Sequence, residues 1–292
     1  MISARAFLAG IIDYAGLFPP ASLDMDAAVA AFAAYRSGDF RDLLGRFVLP
    51  AERLDEFASA AGSILSDDNG PWRLSVIASG NYIDVRRAID RFNDSKHGAI
   101  CDTIETRITS ADDVARALAA FPEPFELYLE VSALDDPADL IRTISNTPAS
   151  AKIRTGGIVE TAVPTSEQIY RFMQVCVSEG VPFKATAGLH HLIRGTYPLT
   201  YDADSPKATM YGFLNIFLAA AFCASGSSES AVIGILAESN VAAFRFDEKG
   251  VWWRDHFVVD EELAVVRQTV ATSFGSCSFT EPVGEARQFQ LI

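Results

Sequence analysis

Lysine is uncommon inside an apolar strand, because an ammonium is costly to bury unless it is paired or neutral. Two lysines of this 292-residue chain occupy such positions. Lys152 lies in Ala-Lys-Ile-Arg-Thr-Gly-Gly (151–157), a strand that runs into a glycine turn. Alternation along a strand puts Lys152 and Arg154 on the same side. If that side is interior, the guanidinium depresses the lysine pKa, and a free amine near neutral pH can attack a carbonyl to form a Schiff base. If it is exterior, both side chains meet helices or solvent. Lys184 repeats the arrangement in Pro-Phe-Lys-Ala-Thr-Ala-Gly-Leu-His-His (182–191). Neighbouring strands lie about 4.8 Å apart, so two inward amines at one height interact strongly, one staying protonated while it holds the other neutral. The structural alternative for Lys184 is a salt bridge to Asp102 or Glu130.

Other polar residues end apolar runs: Asp13, Asp102, Glu105 and Glu130, with Thr186 just beyond Lys184 and His190–His191 downstream. Adjacent histidines point to opposite faces of a strand, but in a loop both could meet one ion, with Glu105, Glu130 and Asp102 supplying oxygens. A hydrogen-bonding or substrate-anchoring role is the more ordinary one for a loop histidine, and no metal site is expected. His97 and His256 are given no role.

These residues need elements to position them. Short apolar runs at Ile11–Asp13, Phe47–Leu49, Arg73–Ala78, Ala99–Glu105, Glu126–Val131, Ala151–Thr155, Pro182–Ala187 and Ala242–Phe246 read as eight strands. Amphipathic stretches alternate with them: Asp24–Tyr35, Ala51–Leu65, Ile83–Phe92, Ala111–Phe121, Pro137–Ile144 and Thr165–Glu179. Eight strands joined by helical crossovers call for an α/β (β/α)8 TIM barrel, whose reacting groups sit at the carboxyl ends of the strands. The expected organisation is one domain over 1–292, with an extended elaboration from about 195. Within it, Tyr211–Ala224 and Ser230–Ser239 read as helices, Phe244–Trp253 as a hairpin turning at Lys249–Gly250, and Glu261–Ser273 as a closing helix. The segment from 275 to 292 carries no clear assignment beyond covering one end of the barrel.

Hydrophobic residues make up 49% of the chain, enough for a large core without disulfides or metals. A formal net charge of −14 with no Lys/Arg cluster argues against nucleic acid, yet leaves room for a local pocket that binds a small anion. The four cysteines, Cys101, Cys176, Cys223 and Cys277, are widely spaced, which fits reduced thiols in a cytoplasm. Asp13 interrupts the apolar run Ala6–Ile12, which argues against a signal peptide. Tyr211–Ala224 is too short to span a bilayer. No membrane association is expected, and homo-oligomerisation is left open.

Lys-x-x-Thr-Gly at 152–156, a capped helix, and Phe-Lys-Ala-x-Ala-Gly-Leu at 183–189 together resemble deoxyribose-phosphate aldolase and its class I relatives. More weakly, Leu-Glu-Val-Ser-Ala-Leu-Asp-Asp (129–136), Ile-Cys-Asp-Thr-Ile (100–104) and Ile-Asp-Tyr-Ala-Gly-Leu-Phe-Pro-Pro (12–20) are similar to further motifs of that family, in the same order. The resemblance implies that Lys152 forms a Schiff base, that Lys184 tunes it and that Asp102 moves protons. The chain departs from the pattern at Arg154, where the family has a small hydroxyl residue, and at His190–His191, where it has a basic one. The family's last-strand Gly-Ser phosphate motif has only Gly275-Ser276-Cys277-Ser278 as a counterpart, and this follows an expected helix.

The expected activity is that of an aldolase-type lyase on a small carbonyl compound, sugar-like or carboxylated, without an organic cofactor. Lys152, Lys184 and Asp102 form its catalytic set. Asp13, Glu105, Glu130, Arg154, Thr155, Gly156, Gly157, Thr186, Gly188, His190 and His191 are its substrate-binding set. Two alternatives stand beside it: a metal-assisted isomerase or hydrolase in the same barrel, and a barrel that has lost catalysis and binds a ligand or partner.

Overall fold

The computed structural model describes residues 2–62, 64–65, 70–95 and 98–292; His97 lies outside the described residues. Strands β1 (Ile12–Tyr14), β2 (Leu44–Pro50), β3 (Trp72–Ile77), β4 (Ala99–Arg107), β5 (Glu126–Val131), β6 (Ser150–Arg154) and β7 (Phe183–Thr186) are followed, after five short strands elsewhere, by β13 (Ala271–Ser276). These eight close a parallel barrel in the ring order β1-β13-β7-β6-β5-β4-β3-β2. Helices α2 (Met25–Ser37), α3 (Leu54–Ala61), α4 (Tyr82–Asp94), α5 (Ala111–Ala120), α6 (Ala138–Ser145) and α7 (Ser166–Glu179) supply the crossovers, after α1 (Ile2–Leu8). The architecture is a (β/α)8 TIM barrel.

Local chemistry sets the elements. Thr165 and Gln168 make both bonds of a capping box at the start of α7, and Gly180, at φ 66°, ends the helix in the left-handed conformation. Ile169, Phe172, Met173 and Cys176 form its buried face, which presses Phe172 edge-on against Phe183 of β7. That packing fixes β7, and with it the height of Lys184.

The expected eighth strand is corrected. Residues 242–246 do not join the barrel. Instead β10 (Phe244–Asp247) pairs with β11 (Gly250–Trp253), and β11 with β12 (His256–Val259), in an antiparallel sheet outside it. The expected closing helix is shorter, α10 (Asp260–Thr269), and the chain then enters β13, which pairs β1 on one side and β7 on the other. Arg267 organises that turn. Its guanidinium donates to the carbonyls of Ala271, Thr272, Phe7 and Ala9, tying the last barrel strand to the chain that leads into the first.

Helices α8 (Phe213–Ala224) and α9 (Glu229–Ala237) follow a β-hairpin, β8 (Gly195–Pro198) and β9 (Lys207–Met210). Phe213 to Phe222 of α8 are all buried, with Phe213 stacked on Phe274 of β13 at 5.0 Å. Each such phenylalanine stabilises the fold by roughly 1.5–3 kcal/mol relative to exposure. Among the described residues, no helix is long and apolar enough to cross a membrane. Helix α11 (Thr280–Gln288) closes the described chain against α2, with Phe279 against Tyr35 at 4.8 Å.

Candidate active site

Parallel pairing fixes the heights of the charged side chains. Lys152 on β6 is in direct register with Lys184 on β7, and Glu130 on β5 with Lys152. Both lysines point inward. Lys152 is 4% exposed and Lys184 1%, so each ammonium needs partners, and each has two carboxylates. Lys152 Nζ lies 2.8 Å from Glu105 Oε2 and 2.8 Å from Glu130 Oε2. Lys184 Nζ lies 2.6 Å from Asp13 Oδ2 and 2.6 Å from Glu105 Oε1, over the face of the Tyr128 ring. Glu105 therefore bridges the two amines, and it also accepts from Ser75 Oγ at 2.6 Å. Asp13 accepts from the Arg46 amide at 2.7 Å and from Ser273 Oγ at 2.8 Å.

This geometry revises the expected electrostatics. The two amines do not simply repel each other, because Glu105 stands between them. Burial alone would lower the pKa of Lys184, but the carboxylates of Asp13 and Glu105 outweigh it and raise that pKa, keeping the ammonium charged. Burial opposes the charge of Glu105 as well, yet the ammonium groups of Lys152 and Lys184 hold its carboxyl far below the ordinary carboxylate range. With every group ionised, three carboxylates face two ammoniums.

A cavity of about 280 Å³ opens above this floor at the carboxyl ends of the strands. Glu105 and Lys152 reach it, and among the described residues Lys152 is its only lysine; Asp13, Glu130 and Lys184 do not line it. Arg154 stands at the rim, exposed, and among the described residues no hydrogen bond or ion pair engages its guanidinium. Thr186, Gly157, Gly188 and His190 line the cavity. Thr155 and Gly156 do not. The Thr155 hydroxyl donates to the Ala187 carbonyl at 2.9 Å, and a Cβ on Gly156 would meet that oxygen at 3.2 Å, so the pair clamps the loop after β7. That loop needs clamping because Ala187 and Gly188 are both at positive φ, 65° and 76°.

Asp102 requires the largest correction. Its carboxylate pairs with Arg46 Nε at 3.0 Å and with Arg73, in a cluster that includes Glu126. Glu126 opens β5, so this cluster plugs the amino-terminal end of the barrel, opposite the cavity. The cause is a register shift: Leu74 pairs with Cys101 and Ser75 already with Thr103, leaving Asp102 as the extra residue of a bulge. Glu105 takes the place expected for Asp102 beside the lysines.

The histidines also separate. His190 is buried against the cavity with Nδ1 3.9 Å from Cys277 Sγ, and burial pushes its pKa down to about 4, so it is neutral. His191 turns away, pairing with Glu285 at 2.7 Å and stacking on Tyr197 at 3.5 Å; it is a fastening for the β8–β9 hairpin and does not line the cavity. Among the described residues, no group of three or more His, Cys, Asp or Glu is arranged around a common ion position. The segment 275–278 is corrected too: Gly275 and Ser276 end β13, and both line the cavity with Cys277. Ser75 and Ser273, which complete the hydrogen bonding of Glu105 and Asp13, carry no signal in the sequence, since isolated serines in strands are common. Leu199 and Met210 of the hairpin roof the cavity, and only the tertiary path of that segment could reveal them.

Fold and floor together define the chain as a TIM barrel with an enclosed two-lysine, three-carboxylate network beneath its mouth. Compared with known proteins, it matches no protein-family model and no curated sequence.

Proposed function

We propose that the protein is a Schiff-base-forming lyase of the aldolase type, with Lys152 as the nucleophile. The observation that carries this reading is the position of Lys152 Nζ: on the cavity wall, 2.8 Å from two carboxylates, while the other buried lysine is sealed below. A lysine must shed a proton to attack a carbonyl, and Glu130, whose ion partner is Lys152, is placed to take it. That transfer stays inside the network, so the buried floor undergoes no change of net charge.

The free amine then adds to the carbonyl carbon, and loss of water leaves an iminium. Glu105, kept ionised by Lys184, lies against this cation and stabilises it electrostatically. When a carboxylate removes the proton of a hydroxyl β to the iminium, the bond between the α and β carbons breaks. Its electron pair flows toward nitrogen, giving an enamine and a released aldehyde. Protonation of the enamine and hydrolysis return the amine. Lys184, Asp13 and Ser273 are positioning residues that fix Glu105 and never meet substrate.

The test is borohydride trapping with acetaldehyde, glycolaldehyde and pyruvate, read by intact mass and peptide mapping. The expected result is one reduced adduct on Lys152 that is absent from Lys152→Met. An adduct confined to other lysines, or none across the panel, refutes the reading.

A further inference from the structure

The lining of the cavity is chemically lopsided. Phe18, Pro20, Val48, Ile77, Leu199 and Met210 are among the apolar side chains that line it. Its hydroxyls and thiol are few and partly occupied. Ser276 Oγ already donates to the Ser278 carbonyl at 2.6 Å, and His190 Nδ1 faces Cys277. A polyhydroxylated substrate brings about one hydroxyl per carbon against two lining hydroxyls, Thr186 and Ser276, and each hydroxyl left unpaired on burial disfavours binding. A hydrocarbon body loses nothing on entry. The charged floor is likewise committed, with Glu105 and Lys152 bound to each other and to groups beneath them.

One charge remains uncommitted. The Arg154 guanidinium has no partner among the described residues, is exposed at the rim, and shares strand face with Lys152. Two residues along a strand set it about 7 Å nearer the mouth. A substrate whose carbonyl reaches Lys152 therefore enters carbonyl first, and an anionic group behind it meets Arg154 after roughly four to six carbons.

We infer that the site takes a mainly apolar oxo acid, with its carbonyl carbon at Lys152, its carboxylate at Arg154 and a hydrocarbon chain between them against the Phe18–Pro20, Val48, Leu199 and Met210 wall. This rests on the Schiff-base reading for the carbonyl end, whereas the carboxylate end stands on Arg154 alone.

The experiment separates the two. Borohydride trapping of Lys152 is titrated with 6-oxohexanoate, hexanal and 2-deoxyribose 5-phosphate, and calorimetric binding of hexanoate, which has no carbonyl to react, is measured in parallel. The oxo acid is expected to half-label Lys152 at a concentration about tenfold below that of hexanal, the effect of one charged hydrogen-bonded contact at a partly solvated rim. Arg154→Gln brings the ratio of the two close to one and removes hexanoate binding. Equal labelling by oxo acid and hexanal in the native protein, or stronger labelling by the sugar phosphate, overturns the inference while leaving the amine chemistry standing. If no aldehyde labels Lys152, the lyase reading falls and the hexanoate arm decides: Arg154-dependent binding upholds the anion site, and absence of binding overturns it.

Discussion

Replacing Lys184 by methionine tests the floor of the site. The side chain is 1% exposed and its nitrogen lies 2.6 Å from both Asp13 and Glu105. Methionine keeps most of the length and the apolar bulk but removes the charge, leaving the buried Asp13 without an ammonium and Glu105 with Lys152 alone. At an effective dielectric of 20, a charge pair even at 4 Å is worth about 4 kcal/mol, so the two ion pairs together exceed about 8 kcal/mol in gross attraction. No longer burying an ammonium returns several of these, which leaves a net loss of about 3–5 kcal/mol. The sign with pH is set by Glu105, which loses one of its two ammoniums. In the native protein the ammoniums depress Glu105, so its stabilising effect is present above the ordinary carboxylate pKa and fades as pH falls. The raised pKa of Lys184 contributes stability throughout the range below the ordinary lysine value, and loses it only as pH rises through the folded value. In Lys184→Met Glu105 keeps only Lys152, so its carboxyl is depressed less and takes up a proton at a higher pH than in the native protein, and acid narrows the gap between the two proteins. Urea unfolding of both proteins should give a difference of about 3–5 kcal/mol at pH 7.5 that shrinks at pH 4.5. A difference below about 1 kcal/mol at pH 7.5, or one that does not change with pH, would refute the network as described.

Asp102→Asn, at the far end of the barrel, should leave the yield of Lys152 adduct unchanged in trapping and lower stability to urea by no more than about 1–2 kcal/mol, since its arginine partners are partly solvated. Loss of the adduct in a folded variant would return Asp102 to the mechanism. His190 is held neutral by burial, with a pKa of about 4 against an ordinary 6.5, so the unfolded chain binds the proton first on acidification. Its contribution to stability should therefore decline as pH falls from about 6.5 and level off below about 4. His190→Phe should flatten that part of the urea pH profile, and NMR of the native ring should show no titration between pH 7 and 5.

Seven barrel strands and the pairing of the two lysines are legible in the sequence because their signals are strong: apolar runs at regular spacing, and charges embedded in them. The eighth strand is hidden for compositional reasons. Phe244–Phe246 alternates like a strand and falls at a plausible distance, whereas Ala271–Ser276 is mostly small and hydroxylated and follows directly on α10. What recruits β13 is tertiary: Arg267 binding its first carbonyls, and Gly275 leaving room for the Thr186 side chain, which a Cβ would meet at 2.9 Å. Asp102 misleads for a related reason, because no residue in Ile-Cys-Asp-Thr-Ile announces a bulge. Its motif resembles an acid–base aspartate, but one unpaired residue turns Asp102 away and puts Glu105 beside the lysines. Thr155 and His191 read as substrate ligands on residue type alone, although hydroxyls and imidazoles serve loops and hairpins as readily as ligands.

Insertion of β13 between β1 and β7 makes a seam between early and late parts of the polypeptide. During synthesis, β1 and β7 emerge from the ribosome well before the strand that must lie between them. Until residue 276 is out, the wall has a gap beside both Asp13 and Lys184, through which water can reach them, and Ser273 has not arrived to bond Asp13. Sealing the salt-bridged floor is therefore a late event of assembly, and cutting the chain before β13 would leave those charges wet in an open trough.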